Sequence, residues 1–114
     1  MLKVYVAGPY TKGNVEQNVL NAIDASSELI SIGLAPFCPH LSHYLDQVHP
    51  HSWQQWMDID LEFLSNCDIV LRLPGESKGA DLEVDTANKI GIPIFYSIDE
   101  IQNAISNAHN GKIK

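Results

Sequence analysis

The chain alternates short apolar runs with helical patterns, and glycine or proline marks most of the changes. Leu2–Ala7 is apolar, β-branched and aromatic, and Gly8-Pro9 follows it, so the run reads as a strand ending in a loop. From Asn14 to Ile32, Val15, Val19, Ala22, Ile23, Ser26, Leu29 and Ile30 share one helix face, and Gly33 ends the helix. A short strand over Leu34–Cys38 stops at Pro39. His40–His51 reads as a polar, His-rich loop containing Pro50. Ser52 suits the N-cap of a helix running to about Ser65. Asp68–Leu73 reads as a strand, Pro74–Gly79 as a turn-rich loop, and Ala80–Ile90 as a helix closed by Gly91. A strand over Ile92–Tyr96 and a helix over Asp99–Asn107 complete the pattern, and the tail Asn110–Lys114 reads as frayed. This alternation implies a parallel sheet covered by helices on both faces. Ligands in such sheets bind beyond the carboxyl ends of the strands. Three loops leave those ends, Gly8–Gly13, Pro39–His51 and Pro74–Gly79, and the unusual residues concentrate there.

A length of 114 residues predicts one domain over 1–114, and 45% hydrophobic content is enough for a real core. The net charge is −7 with no basic patch, which argues against polymeric nucleic acid as a partner. A small nucleotide needs only a few local donors and stays open. Cys38 and Cys67 form no C-x-x-C and read as buried free thiols. With no signal-peptide pattern and no apolar run long enough to cross a membrane, a soluble cytoplasmic protein is expected. The Gly8–Gly13 loop matches neither a Walker A loop nor G-x-G-x-x-G, so nothing points to ATP or NAD. His40, His43, His49 and His51, with Asp46, match no established metal site, and no metal or other cofactor is expected. A base-contacting role for His40 or His43 and a solvated loop are the readings left for these histidines.

Two carboxylates stand out. On the helix after Gly79, Asp81, Asp85, Asn88 and Lys89 share a solvated face, while Glu83 lies opposite, beside Ala80, Ala87 and Ile90. On the helix after Ser52, Asp60 lies opposite the polar stripe, among Trp53, Trp56, Met57 and Leu64. Each acid can be a buried carboxylate bonded to a neighbour. Alternatively, each faces a cleft, with Glu83 kept ionised by the helix N-terminus. Paired carboxylates in a cleft are what glycosyl transfer uses, one attacking the anomeric carbon and the other serving the leaving group. Ser77-Lys78-Gly79 precedes a helix, so its N–H groups suit a phosphate or a sugar hydroxyl, or form an ordinary N-cap turn. Trp53, Trp56 and Phe63 read first as core or subunit-interface residues, and sequence alone does not say which of them would stack on a base.

These residues resemble the nucleoside 2-deoxyribosyltransferase family and its deoxynucleoside 5′-monophosphate N-glycosidase relatives. The resemblance runs from Leu2 to about Ile98. It rests on Val4-Tyr5-Val6-Ala7-Gly8, on Asp60-Leu61 with Cys67-Asp68-Ile69, and on the segment from Ser77 to Glu83. The Ala-Gly-Pro opening and the Leu-Pro-Gly loop also resemble small bacterial and phage domains of unassigned function. The resemblance implies an α/β fold, a flavodoxin- or Rossmann-like parallel sheet of four or five strands with helices on both faces. It implies Glu83 as the nucleophile, Asp60 as the group assisting proton transfer to the base, and Tyr5 as the residue positioning the nucleophile. It also implies that Gly8, Pro9, Tyr10, Ser77, Lys78, Gly79 and His40 line the substrate site, with Ser77 suited to a 5′-phosphate. A homodimer or larger homo-oligomer is implied as well, with the Trp-bearing helix as interface. The chain departs from the pattern in its first loop, where Tyr10, Thr11 and Lys12 stand in place of an arginine, and after the nucleophile, where Val84-Asp85 follows. Lys12 or Lys78 would supply a point charge without the bidentate geometry of arginine. The activity implied is cleavage of the base–sugar bond of a (deoxy)nucleoside or its 5′-monophosphate, by hydrolysis or by transfer. A non-catalytic nucleotide-binding or sensor module, or an interaction domain on the same fold, is the alternative.

Overall fold

The computed structural model describes residues 1–109. The strands are β1 (Lys3–Ala7), β2 (Ala35–Phe37), β3 (Ile69–Arg72) and β4 (Ile94–Phe95). The helices are α1 (Val15–Ser31), α2 (Ser42–Val48), α3 (Trp53–Leu64), α4 (Lys78–Ile90) and α5 (Ile98–His109), and a 3-10 turn covers Pro39–Leu41. The strands form one parallel sheet in the order β2-β1-β3-β4. From β1 the chain moves to one sheet edge, and from β3 to the other. The loops after β1 and β3 therefore part and leave a crevice beyond the carboxyl ends of these strands.

Side-chain alternation along β1 divides the core. Val4 and Val6 pack with Ala22 and Leu29 of α1, Ile69 and Leu71 of β3, and Ile101 of α5. Tyr5 and Ala7 pack on the opposite face with Leu64 of α3, Val70 of β3, and Ala80 and Ala87 of α4. Helices thus cover both faces of an α/β sheet.

Local chemistry sets the helix starts. Asn14 accepts the Gln17 N–H ahead of α1. Ser52 and Gln55 form a reciprocal capping box ahead of α3. Ser77 accepts the Ala80 N–H at 3.1 Å, which brings the start of α4 forward to Lys78. Gly91, at φ +83°, closes α4 in the left-handed conformation.

Several expectations change. The segment after Pro39 is a 3-10 turn followed by α2, where a loop was expected. Ile90 and Ile30, assigned to apolar helix faces, are exposed. Cys38 and Cys67 are free thiols, yet only half-buried. β4 has two residues, because Ile92 and Pro93 precede the pairing. The tail Asn110–Lys114, expected to fray, lies outside the described residues. No described helix is long and apolar enough to cross a membrane.

Candidate active site

The alternation that buries Val4 and Val6 beneath α1 turns Tyr5 toward α4. There its hydroxyl donates a hydrogen bond to Oε2 of Glu83. Both side chains are buried, Glu83 to 5% exposure. Burial pushes the Glu83 carboxyl up to about 8, and the nearby charge of Asp60 pushes the same way. The Tyr5 hydrogen bond and the more distant Arg72 charge oppose this without cancelling it. One of the two readings of Glu83 kept it ionised at the helix N-terminus, the other made it a buried carboxylate bonded to a neighbour. Glu83 sits in the second turn of α4, where the macrodipole has faded, and desolvation dominates. Burial raises the Tyr5 hydroxyl as well, and so do the charges of Glu83 and Asp60, so Tyr5 acts as a hydrogen-bond donor.

Asp60 faces Glu83 from α3, and burial alone lifts its carboxyl to about 7. The two acids line one cleft of about 490 Å³, a size that suits a small organic ligand. Gly8, Tyr10, His40, Ser77, Lys78 and Gly79 line it too. Pro9, expected to line the site, and Tyr5 are not among the lining residues: the Tyr5 hydroxyl bonds Glu83, and the Pro9 carbonyl faces His40. The His40 Nε2 lies 2.9 Å from the Pro9 carbonyl. A carbonyl only accepts, so that nitrogen carries the proton and Nδ1 is an acceptor. Nδ1 is buried and has no hydrogen-bond partner among the described residues. Burial lowers the His40 pKa, with the Pro9 and Gly8 carbonyls offsetting part of the effect, so the ring is neutral.

The loops meet above the cleft. Asn18 donates to the carbonyls of Tyr10 and Lys12 and so fixes the first loop. Lys12 forms an exposed ion pair with Glu76 of the third loop. Arg72 points elsewhere: it donates to the carbonyls of Leu73 and Gly75 and to Asp81, bracing the third loop from outside. Lys12 and Lys78 are the cations of the cleft lining. Among the described residues, no group of three or more His, Cys, Asp or Glu is arranged to hold a metal ion.

A third cluster escaped the sequence. Asp46 of α2 accepts the Trp56 indole N–H at 2.7 Å and the His51 backbone N–H at 2.8 Å, and all three residues line the cleft. These bonds, the His51 one first, hold the Asp46 carboxyl below its ordinary value. Tyr10 bonds His43 Nδ1 at 2.8 Å on the same side. The spacing of Leu41, Tyr44, Leu45 and Val48 carries the helical period that would have revealed α2.

A four-stranded parallel sheet of this order, covered by helices on both faces and with a cleft past β1 and β3, is a flavodoxin-like α/β fold. The structure is similar to that of a 2-deoxyribosyltransferase from Bacillus psychrosaccharolyticus, with a TM-score of 0.64 and 22% identity over 81% of this chain and 69% of that one. At that identity the likeness is one of fold. Residues 2–97 match the model of a family described as Domain of unknown function (DUF7768), and the chain belongs to that family. No curated protein matches the chain.

Proposed function

We propose that the protein cleaves the base–sugar bond of a (deoxy)nucleoside or its 5′-monophosphate through a glycosyl-enzyme intermediate. The observation that carries this reading is the pairing of two acids, the buried Glu83 and the half-buried Asp60, in one cleft, with the Tyr5 hydroxyl bonded to Glu83. The ionised Glu83 carboxylate attacks the anomeric carbon while the bond from that carbon to the base nitrogen breaks. The bonding electrons leave with the base, and Asp60 gives that nitrogen its proton. Water or a second base, deprotonated by Asp60, then attacks the same carbon and frees Glu83. The cycle runs through the one-proton form of the pair in which Glu83 is ionised and Asp60 holds the proton, the less populated of the two such forms because burial raises Glu83 further than Asp60. Ser77, Lys78 and Gly79 at the start of α4 and Gly8 and Tyr10 of the first loop hold the sugar or its phosphate, with Pro9 behind them orienting His40. His40 offers Nδ1 to a donor on the ligand.

The test is base release from nucleosides, deoxynucleosides and their 5′-monophosphates, with and without an acceptor base. Release by the native chain that Glu83→Ala abolishes is the expected result, and the preferred substrate then decides the phosphate question. A Glu83→Ala protein releasing base at the native rate would remove Glu83 as nucleophile. A second reading, a non-catalytic nucleotide-binding module, is favoured by burial that keeps much of Glu83 protonated at neutral pH. Ligand binding with no base release by the native chain would select it.

A further inference from the structure

We infer that Trp56 is the platform on which the ligand's base stacks, and that Asp46 is the positioning residue holding that platform in place. This rests on the nucleobase chemistry proposed above and names the surface that receives the base. A base leaving with a proton from Asp60 must lie within reach of that carboxyl. Trp56 precedes Asp60 by four residues on α3, so the two side chains are neighbours on one stripe of the helix, about one turn (~5.4 Å) apart. Both line the cleft.

The indole is held on several sides. Its N–H donates to Oδ1 of Asp46 at 2.7 Å, and the His51 ring packs nearly perpendicular to it, with centroids 5.6 Å apart. Asp46 is itself fixed by the His51 backbone N–H at 2.8 Å. With its one polar atom satisfied, Trp56 presents an apolar π-face whose orientation costs little further entropy to fix. Trp53 is the competing platform. It lies a turn farther from Asp60, is half exposed, and has the Lys78 ammonium 5.9 Å from its ring centroid. A stacking face tolerates every base, since each has a π-face, and the choice among bases then falls to polar groups such as His40 Nδ1.

The experiment titrates adenine, cytosine and 2′-deoxyadenosine into the full chain by calorimetry. It repeats the titration by fluorescence in Trp53→Phe, which leaves Trp56 as the remaining one of the two tryptophans. Stacking predicts quenching of Trp56 emission on binding. It predicts a loss of affinity of about tenfold or more in Trp56→Ala, with most of the affinity kept in Trp56→Phe. Asp46→Ala is expected to weaken binding several-fold, and Asp46→Asn, whose amide oxygen still accepts the indole N–H, to restore it. Binding without quenching, or an unchanged affinity in Trp56→Ala, would overturn the inference and leave the proposed function standing. A native chain that binds none of the three probes would overturn the inference, while the proposed function stands or falls on the base-release assay.

Discussion

The Tyr5 hydroxyl and the Glu83 carboxylate form a buried pair whose energetics depend on which of them carries charge. The hydrogen bond stabilises ionised Glu83, while burial and the Asp60 charge favour the neutral acid. If Glu83 attacks as an anion and Asp60 donates a proton, the active state holds one proton between them. Activity then peaks between about 7 and about 8 and falls on both sides, the limbs belonging to the pair as a whole. Tyr5→Phe removes the donor. A hydrogen bond to a charged group contributes about 1.5–3 kcal/mol, so the Glu83 carboxyl, already the higher of the two, should rise further and carry the alkaline limb of the kcat/KM profile up by about one to two pH units, with a lower maximum. A limb that stays in place in Tyr5→Phe would show that Tyr5 does not set the ionisation of Glu83. The wheel positions of Glu83 and Asp60 were legible because an acid among Ala80, Ala87, Met57 and Leu64 breaks the apolar period. Their protonation was not, because periodicity gives the side of a helix and carries no information on how much protein lies above it.

Among the elements, the loops after β1 and β3 are joined more tightly than their composition suggests. Gly75 has φ +114°, and a Cβ placed there would lie 2.8 Å from Cγ of Pro9. Gly75→Ala therefore meets an unfavourable backbone conformation and a rigid proline ring together. It should cost about 1–3 kcal/mol, read as a lower midpoint in urea, and should disturb the loop that carries Ser77. A Gly75→Ala protein as stable as the native chain would mean that the two loops separate freely. β1, α1, α3 and α4 were readable from apolar period and capping residues. α2 was not, even though Leu41, Tyr44, Leu45 and Val48 keep a helical spacing. Its neighbours Pro39 and Pro50 and its histidines suggested a loop, and its apolar residues are exposed, so no buried face enforced the pattern. The bond from Asp46 to Trp56 was hidden for the same reason, since it needs α2 to exist before it can be drawn.

At the scale of the whole molecule, the buried acid sets a condition on stability. Glu83 has an ordinary value of 4.5 and a folded value of about 8. Between these values the folded chain holds a proton that the unfolded chain has lost, so stability falls as pH rises through that window. Glu83→Gln keeps the shape and an acceptor for Tyr5 while removing the titration. It should raise the melting temperature at pH 8 by at least about 4 °C and change it little at pH 4.5. An equal gain at both pH values would mean that Glu83 titrates normally in the folded chain. The bond between Tyr5 and Glu83 also has a reach that bears on assembly. It joins residues 78 positions apart, from the first strand to a helix that follows the third. A chain that has not yet paired β1 with β3 and docked α4 has no such bond. A half-made copy emerging from the ribosome would therefore carry Glu83 as an ordinary exposed acid, and the raised carboxyl would arrive only with the finished fold.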